Sequence, residues 1–270
     1  MKRKMLVLDI DGTLTNSKKE ITSRTLERIW EIQRMGHIVV LASGRPTPGM
    51  AWVADALRLE EFGGYLLSFN GARITNRQTS EVVCQNELPG QFIAPLYDFA
   101  VREDIGLVTY ENDAIVTGLR HDEYTELESR INGIPIHDVD NFVEYVDFPV
   151  NKCLFTAPRE RAPELERRLA AQYVGRLSIY RSEPFFIEVM PLRVDKAASL
   201  DRLLARLHMR ASDVIACGDG FNDVSMIRFA GLGVAMANAQ DAVKREANYI
   251  TLSNDEDGVA HVIEKFILEK

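Results

Sequence analysis

Two aspartates one residue apart, Asp9 and Asp11, end the apolar run Met5-Leu6-Val7-Leu8 and lead into Gly12-Thr13. The pattern returns late in the chain, where Val214-Ile215-Ala216-Cys217 runs into Gly218-Asp219-Gly220-Phe221-Asn222-Asp223. Carboxylates crowded at a strand exit repel one another, and a divalent cation is the natural offset. Hard oxygen donors suit Mg²⁺, which takes one or two carboxylates, waters and a substrate phosphate. Asp9, Asp11, Asp219 and Asp223, drawn together from two strand ends, provide such a set. One Asp-Gly after one strand is more often a plain turn; the second occurrence is what makes two unrelated loops a poor reading. A dinucleotide fingerprint needs a third glycine at position 223. Asp223 instead places negative charge where a pyrophosphate would sit, which excludes that cofactor.

Weaker signals lie between these two. Ser43-Gly44-Arg45 closes the apolar run Ile38–Ala42, and a hydroxyl with a backbone N–H there can face a phosphate oxygen. Taken alone, it reads as a solvated loop. Asn70-Gly71 between apolar runs signals a hairpin turn and needs no function. Lys196 heads a helix through Leu200, Leu203, Leu204 and Leu207, where it can offset phosphate charge; alone, such a lysine is usually a surface residue.

The elements that position these residues are strands apolar along their whole length, the mark of a parallel sheet covered on both faces. In such α/β sheets, ligand groups gather at the strands' carboxyl ends, where the acids fall. Thr22 and Ser23 predict the start of a helix that Gly36 ends. From about residue 83 to about 184 the character changes to short alternating strands and amphipathic helices. Leu107–Tyr110 and Ala114–Thr117 predict a hairpin around Asn112-Asp113, and a charged helix is predicted over Glu160–Gln172. Phe185–Met190 reads as a return to the buried style. The expected organisation is a doubly wound, mostly parallel α/β core of residues 1–82 and 185–270 with an inserted α+β module at 83–184.

With 46% hydrophobic and 27% charged residues in 270, the composition is that of a globular protein. A net charge of −8 argues against nucleic acid or an anionic membrane as partner. The apolar run before Asp9 is too short for a signal sequence, and no run reaches a membrane span. Cys84, Cys153 and Cys217 have no metal-like spacing and read as thiols of a reducing compartment, so the cytoplasm is the expected location.

Asp9-Ile10-Asp11-Gly12-Thr13, Ser43-Gly44-Arg45, Lys196 and Gly218–Asp223, in this order, resemble the four motifs of haloacid-dehalogenase-superfamily phosphatases. Gly231–Ala239 and Asp257-Gly258-Val259-Ala260 point to the Cof-type group of bacterial sugar-phosphate phosphatases with a large C2-type cap. The resemblance implies that Asp9 is the nucleophile, forming an aspartyl-phosphate. It implies Asp11 as general acid and then base, separating phosphatases from the family's ATPases, which carry threonine there. Mg²⁺ would be held by Asp9, the Asp11 carbonyl, Asp219 and Asp223, the last directly or through water. Ser43, Gly44, Lys196, Asn222 and the Ile10 N–H would hold the phosphoryl oxygens, with Asn70 a further candidate. The implied substrate is a small phosphorylated metabolite, a sugar phosphate above all, and the implied assembly a monomer or weak homodimer. Arg193-Val194-Asp195-Lys196-Ala197 lacks the glycines many relatives have beside the lysine. In the cap, Lys152, Arg181 and Glu183 are candidate substrate readers, though each reads more simply as a solvated charge. A phosphomutase shares Asp9 and Asp11, but its helical cap has no room between Thr13 and Ser43. A non-catalytic phosphate-binding module would be expected to lack one of these positions, and all are filled. A receiver-type domain leaves the inserted module unexplained.

Overall fold

The computed structural model describes residues 3–269. Five strands come first, β1 (Met5–Leu8), β2 (Ile38–Ala42), β3 (Tyr65–Ser68), β4 (Arg73–Asn76) and β5 (Val82–Gln85). Then follow β6 (Gly106–Glu111), β7 (Ala114–Thr117), β8 (Ile136–Asp138), β9 (Cys153–Thr156), β10 (Leu177–Glu183) and β11 (Phe186–Pro191). Last come β12 (Val214–Gly218), β13 (Leu232–Ala235) and β14 (Tyr249–Ile250). Among the described residues these form an eight-stranded sheet, β14-β13-β12-β1-β2-β3-β4-β5, and a six-stranded sheet, β10-β11-β9-β6-β7-β8.

The chain divides into two units, one of residues up to Cys84 with those from Asp195 onward, the other Gln85–Val194. In the first, β14 through β3 run parallel, and the β3–β4 hairpin adds an antiparallel edge around Asn70-Gly71. The chain leaves β1 toward β2 and β3 on one side and later fills β12, β13 and β14 on the other. Strand order therefore reverses at β1, and the crevice outside the carboxyl end of such a switch strand is where open α/β sheets bind ligands. β1, β2 and β12 are buried at every residue, as continuous apolar runs in a covered parallel sheet must be. Helix Ser23–Arg34 begins where expected, with the Thr22 hydroxyl accepting the Thr25 N–H.

The second unit is α+β with its own apolar cluster, in which Phe92, Leu96, Phe99, Leu107, Phe142, Phe155, Leu165 and Ile187 are buried. Its sheet is antiparallel except where β7 meets β8, and the β6–β7 hairpin turns at Asn112-Asp113. Phe185–Met190 belongs here rather than to the core: β11 lies between β10 and β9. A mostly apolar run, broken here only by Glu188, marks a strand covered on both faces but does not say in which sheet.

Candidate active site

Asp9 continues the β1–β12 ladder, its N–H donating to the Cys217 carbonyl at 3.1 Å, so the exits of the two strands lie side by side. One oxygen each from Asp9, Asp219 and Asp223 falls within 4.8 Å of the others. Lys196, wholly buried, joins two of them: its Nζ donates to Asp9 Oδ1 at 2.8 Å, Asp223 Oδ1 at 2.6 Å and the Ala42 carbonyl at 2.7 Å. The helix Lys196–Leu207 sets the lysine there, its first turn capped by Asp195, which accepts the Ala198 N–H at 2.9 Å. Asp223 Oδ2 accepts the N–H groups of Asp219 and Gly220, both at 2.9 Å, which locks the turn after β12. Thr13 donates to Asp219 Oδ1 at 2.7 Å. Gly12 sits at φ 82, where a Cβ would lie 2.4 Å from Asp219 Oδ2; the loop after β1 passes too close to Asp219 for any side chain.

The electrostatics of the cluster are unbalanced. Three carboxylates face one ammonium, a surplus of two negative charges. Burial, with repulsion from Asp223, raises the Asp9 carboxyl well above its ordinary range. Burial likewise raises Asp219 to about 6, against the Thr13 hydrogen bond. Burial alone would lower Lys196, but Asp223 and Asp9 outweigh it and hold the ammonium charged.

Asp11 takes no part in this cluster through its carboxylate. Arg45 holds it as a fork, Nε to Oδ2 at 2.7 Å and Nη2 to Oδ1 at 2.9 Å, and Lys19 Nζ adds 2.9 Å to Oδ1. Burial would raise Asp11, but the two cations overcome it and bring it to about 2. Of the four aspartates expected together, three thus share one site, and the fourth is an ionised neighbour paired with Arg45. Arg45 belonged to a recognisable motif, yet its pairing spans 34 positions and no local pattern signals it; Lys19 had no signal at all.

Ser43 is buried at the end of β2, its Oγ accepting the Arg45 N–H at 3.2 Å. Asn70 is buried and accepts from Asn222 Nδ2 at 3.0 Å, while Ile10, between the first two aspartates, is fully buried. In the inserted unit, Lys152 is no solvated charge: it is 3% exposed and lies 3.0 Å from the buried Glu188. Arg181 is spent on Glu166 at 2.6 Å, and Glu183 is exposed. Asp255 and Asp257 tie the segment after β1, accepting from Ser17 at 2.6 Å and Thr22 at 2.5 Å.

A family model for haloacid dehalogenase-like hydrolases matches residues 6–263. The chain belongs to this family. YxeH of Bacillus subtilis is 32% identical over 99% of this chain and 99% of its own. The 5-amino-6-(5-phospho-D-ribitylamino)uracil phosphatase YcsE of the same organism is 31% identical over 98% of this chain and 96% of its own. The crystal structure of a haloacid dehalogenase-like hydrolase from Bacteroides thetaiotaomicron superposes with a TM-score of 0.94 at 46% identity, covering 98% of this chain and 100% of that one. The protein is accordingly a phosphatase of the haloacid dehalogenase-like hydrolases, with the family's inserted α+β cap. Among the described residues, no helix is long and apolar enough to cross a membrane.

Proposed function

We propose that the protein is a Mg²⁺-dependent phosphomonoester hydrolase of small phosphorylated metabolites, working through an aspartyl-phosphate on Asp9. The observation that carries this reading is the Asp9, Asp219 and Asp223 cluster bridged by Lys196 at the switch point of the sheet. The donor set fits the metal: the three side-chain donors are carboxyl oxygens, and once they are ionised beside Lys196 the surplus of two negative charges matches a divalent cation. Asp9, Asp219 and Asp223 would hold it, with the Asp11 main-chain carbonyl. Bound there, it would offset charge on the phosphoryl oxygens.

The chain's own residues supply the rest. Asp9 attacks phosphorus, and the phosphoryl oxygens are met by the Lys196 ammonium, the Ser43 hydroxyl, the Gly44 and Ile10 N–H groups and the Asn222 amide. Asp11, ionised in the grip of Arg45, suits the second step, where it takes a proton from water attacking the phospho-aspartate. In the first step it must give a proton to the leaving alcohol, so Arg45 and Lys19 must loosen when substrate arrives. A relative whose substrate carries phosphate on a ribityl arm supports a polyol or sugar phosphate here.

The test is phosphate release from a panel of phosphorylated metabolites, with Mg²⁺ and with EDTA. Release from a few sugar or polyol phosphates, abolished by EDTA, is the expected result. Undiminished release in EDTA would remove the metal from the reading. Isomerised products without free phosphate would make the enzyme a mutase.

A further inference from the structure

Between β3 and β4 the backbone does something costly. Phe69, Asn70 and Gly71 stand in succession at φ 52, 53 and 98. A buried aromatic residue in the left-handed region is a genuine outlier, and such outliers survive only where their surroundings over-determine them, most often at functional sites. Here the surroundings are the phosphate motifs. The Phe69 N–H donates to the Arg45 carbonyl and the Asn70 N–H to the Ser43 carbonyl, both at 2.9 Å. The Gly71 carbonyl accepts from Ser199 Oγ at 2.7 Å, and Ser199 stands three residues after Lys196 on the same helix face.

The turn delivers the Asn70 amide to Asn222. Asn70 is 7% exposed, and its Oδ1 accepts from Asn222 Nδ2 at 3.0 Å. Asn222 itself is exposed and follows the exposed Phe221 in a short turn, so packing gives its side chain little direction. Its Oδ1 lies 2.7 Å from the point a Cβ on Gly220 would occupy, space that glycine leaves open. The hydrogen bond to Asn70 is what directs the Asn222 carboxamide, and an amide nitrogen carries a second N–H to give.

We propose that Asn70 is a positioning residue of the phosphatase reaction: the strained 69–71 turn exists to hold Asn222 toward the transferring phosphoryl group. Asn70 then acts through Asn222 and does not itself bind phosphate. This rests on the reading of Asn222 as a phosphoryl donor.

Asn70→Gly separates backbone from side chain, because glycine accepts the left-handed conformation while the amide is deleted. The full chain with Mg²⁺ and p-nitrophenyl phosphate is the assay, with inorganic phosphate as competitor. Asn70→Gly is expected to keep the wild-type melting temperature, to lose about ten-fold in kcat/KM mainly through kcat, and to bind phosphate less tightly. Asn222→Ala is expected to lose at least as much, and the double variant no more than Asn222→Ala alone. A fully active Asn70→Gly enzyme, or losses that multiply in the double variant, would overturn the proposal. An Asn222→Ala enzyme with unchanged kcat/KM and phosphate affinity would instead overturn the phosphoryl role of Asn222.

Discussion

Burial and mutual repulsion work against ionisation of the very carboxyls, Asp9 and Asp219, that a nucleophilic role and a cation require to be charged. For Asp219 this has a testable sign. Its folded value, about 6, lies above the ordinary carboxyl value, so between the two the folded chain binds more protons and stability falls as pH rises. In EDTA, Asp219→Asn should therefore gain more in Tm over the parent at pH 8 than at pH 5. After allowance for partial exposure the difference is about 1 kcal/mol, or roughly 2–4 °C. Equal gains at both pH values would remove the electrostatic account. Asp9→Asn keeps the shape and the Lys196 contact but not the nucleophile. It should fold as well as the parent and show no turnover above background in a phosphate-release assay. Retained turnover would rule out the covalent route.

At the scale of elements, what could be read from the residues was what is local. The strand exits, the Thr22 cap and both hairpin turns each carry their signal within a few positions. The Arg45 fork on Asp11 and the Asn70–Asn222 pair join residues 34 and 152 positions apart, and apolar periodicity says nothing of such partners. β11 was misplaced for a related reason, since a run buried on both sides fits the middle of either sheet. The lysine helix is held at its start by its own residue, since Asp195 caps the helix that carries Lys196. Asp195→Ala should remove about 1 kcal/mol, seen as a fall of roughly 2–4 °C in Tm, and Asp195→Asn should restore most of it. If Ala and Asn variants melt alike, the side-chain cap contributes nothing.

Across the whole molecule, stability is built twice. One apolar cluster gathers on the parallel sheet and a second inside the inserted unit, and among the described residues no buried side chain belongs to both. Within the second, the sheet also buries an ion pair, Lys152 with Glu188, beneath the Tyr110 ring face at 5.1 Å and beside Ser182, which donates to Glu188 Oε1 at 2.8 Å. Removing one partner of such a pair strands the other charge, whereas replacing both with apolar residues is often nearly neutral. Lys152→Met should therefore cost about 3 kcal/mol, and Lys152→Met with Glu188→Leu should recover most of that. Because the clusters are separate, the loss should be confined. Native-state hydrogen exchange should quicken in β9 and β11 of the single variant while β1 and β12 keep their protection. Equal acceleration in all four strands would mean that the two units open together, and that the inserted unit's ion pair supports the catalytic sheet as well as its own.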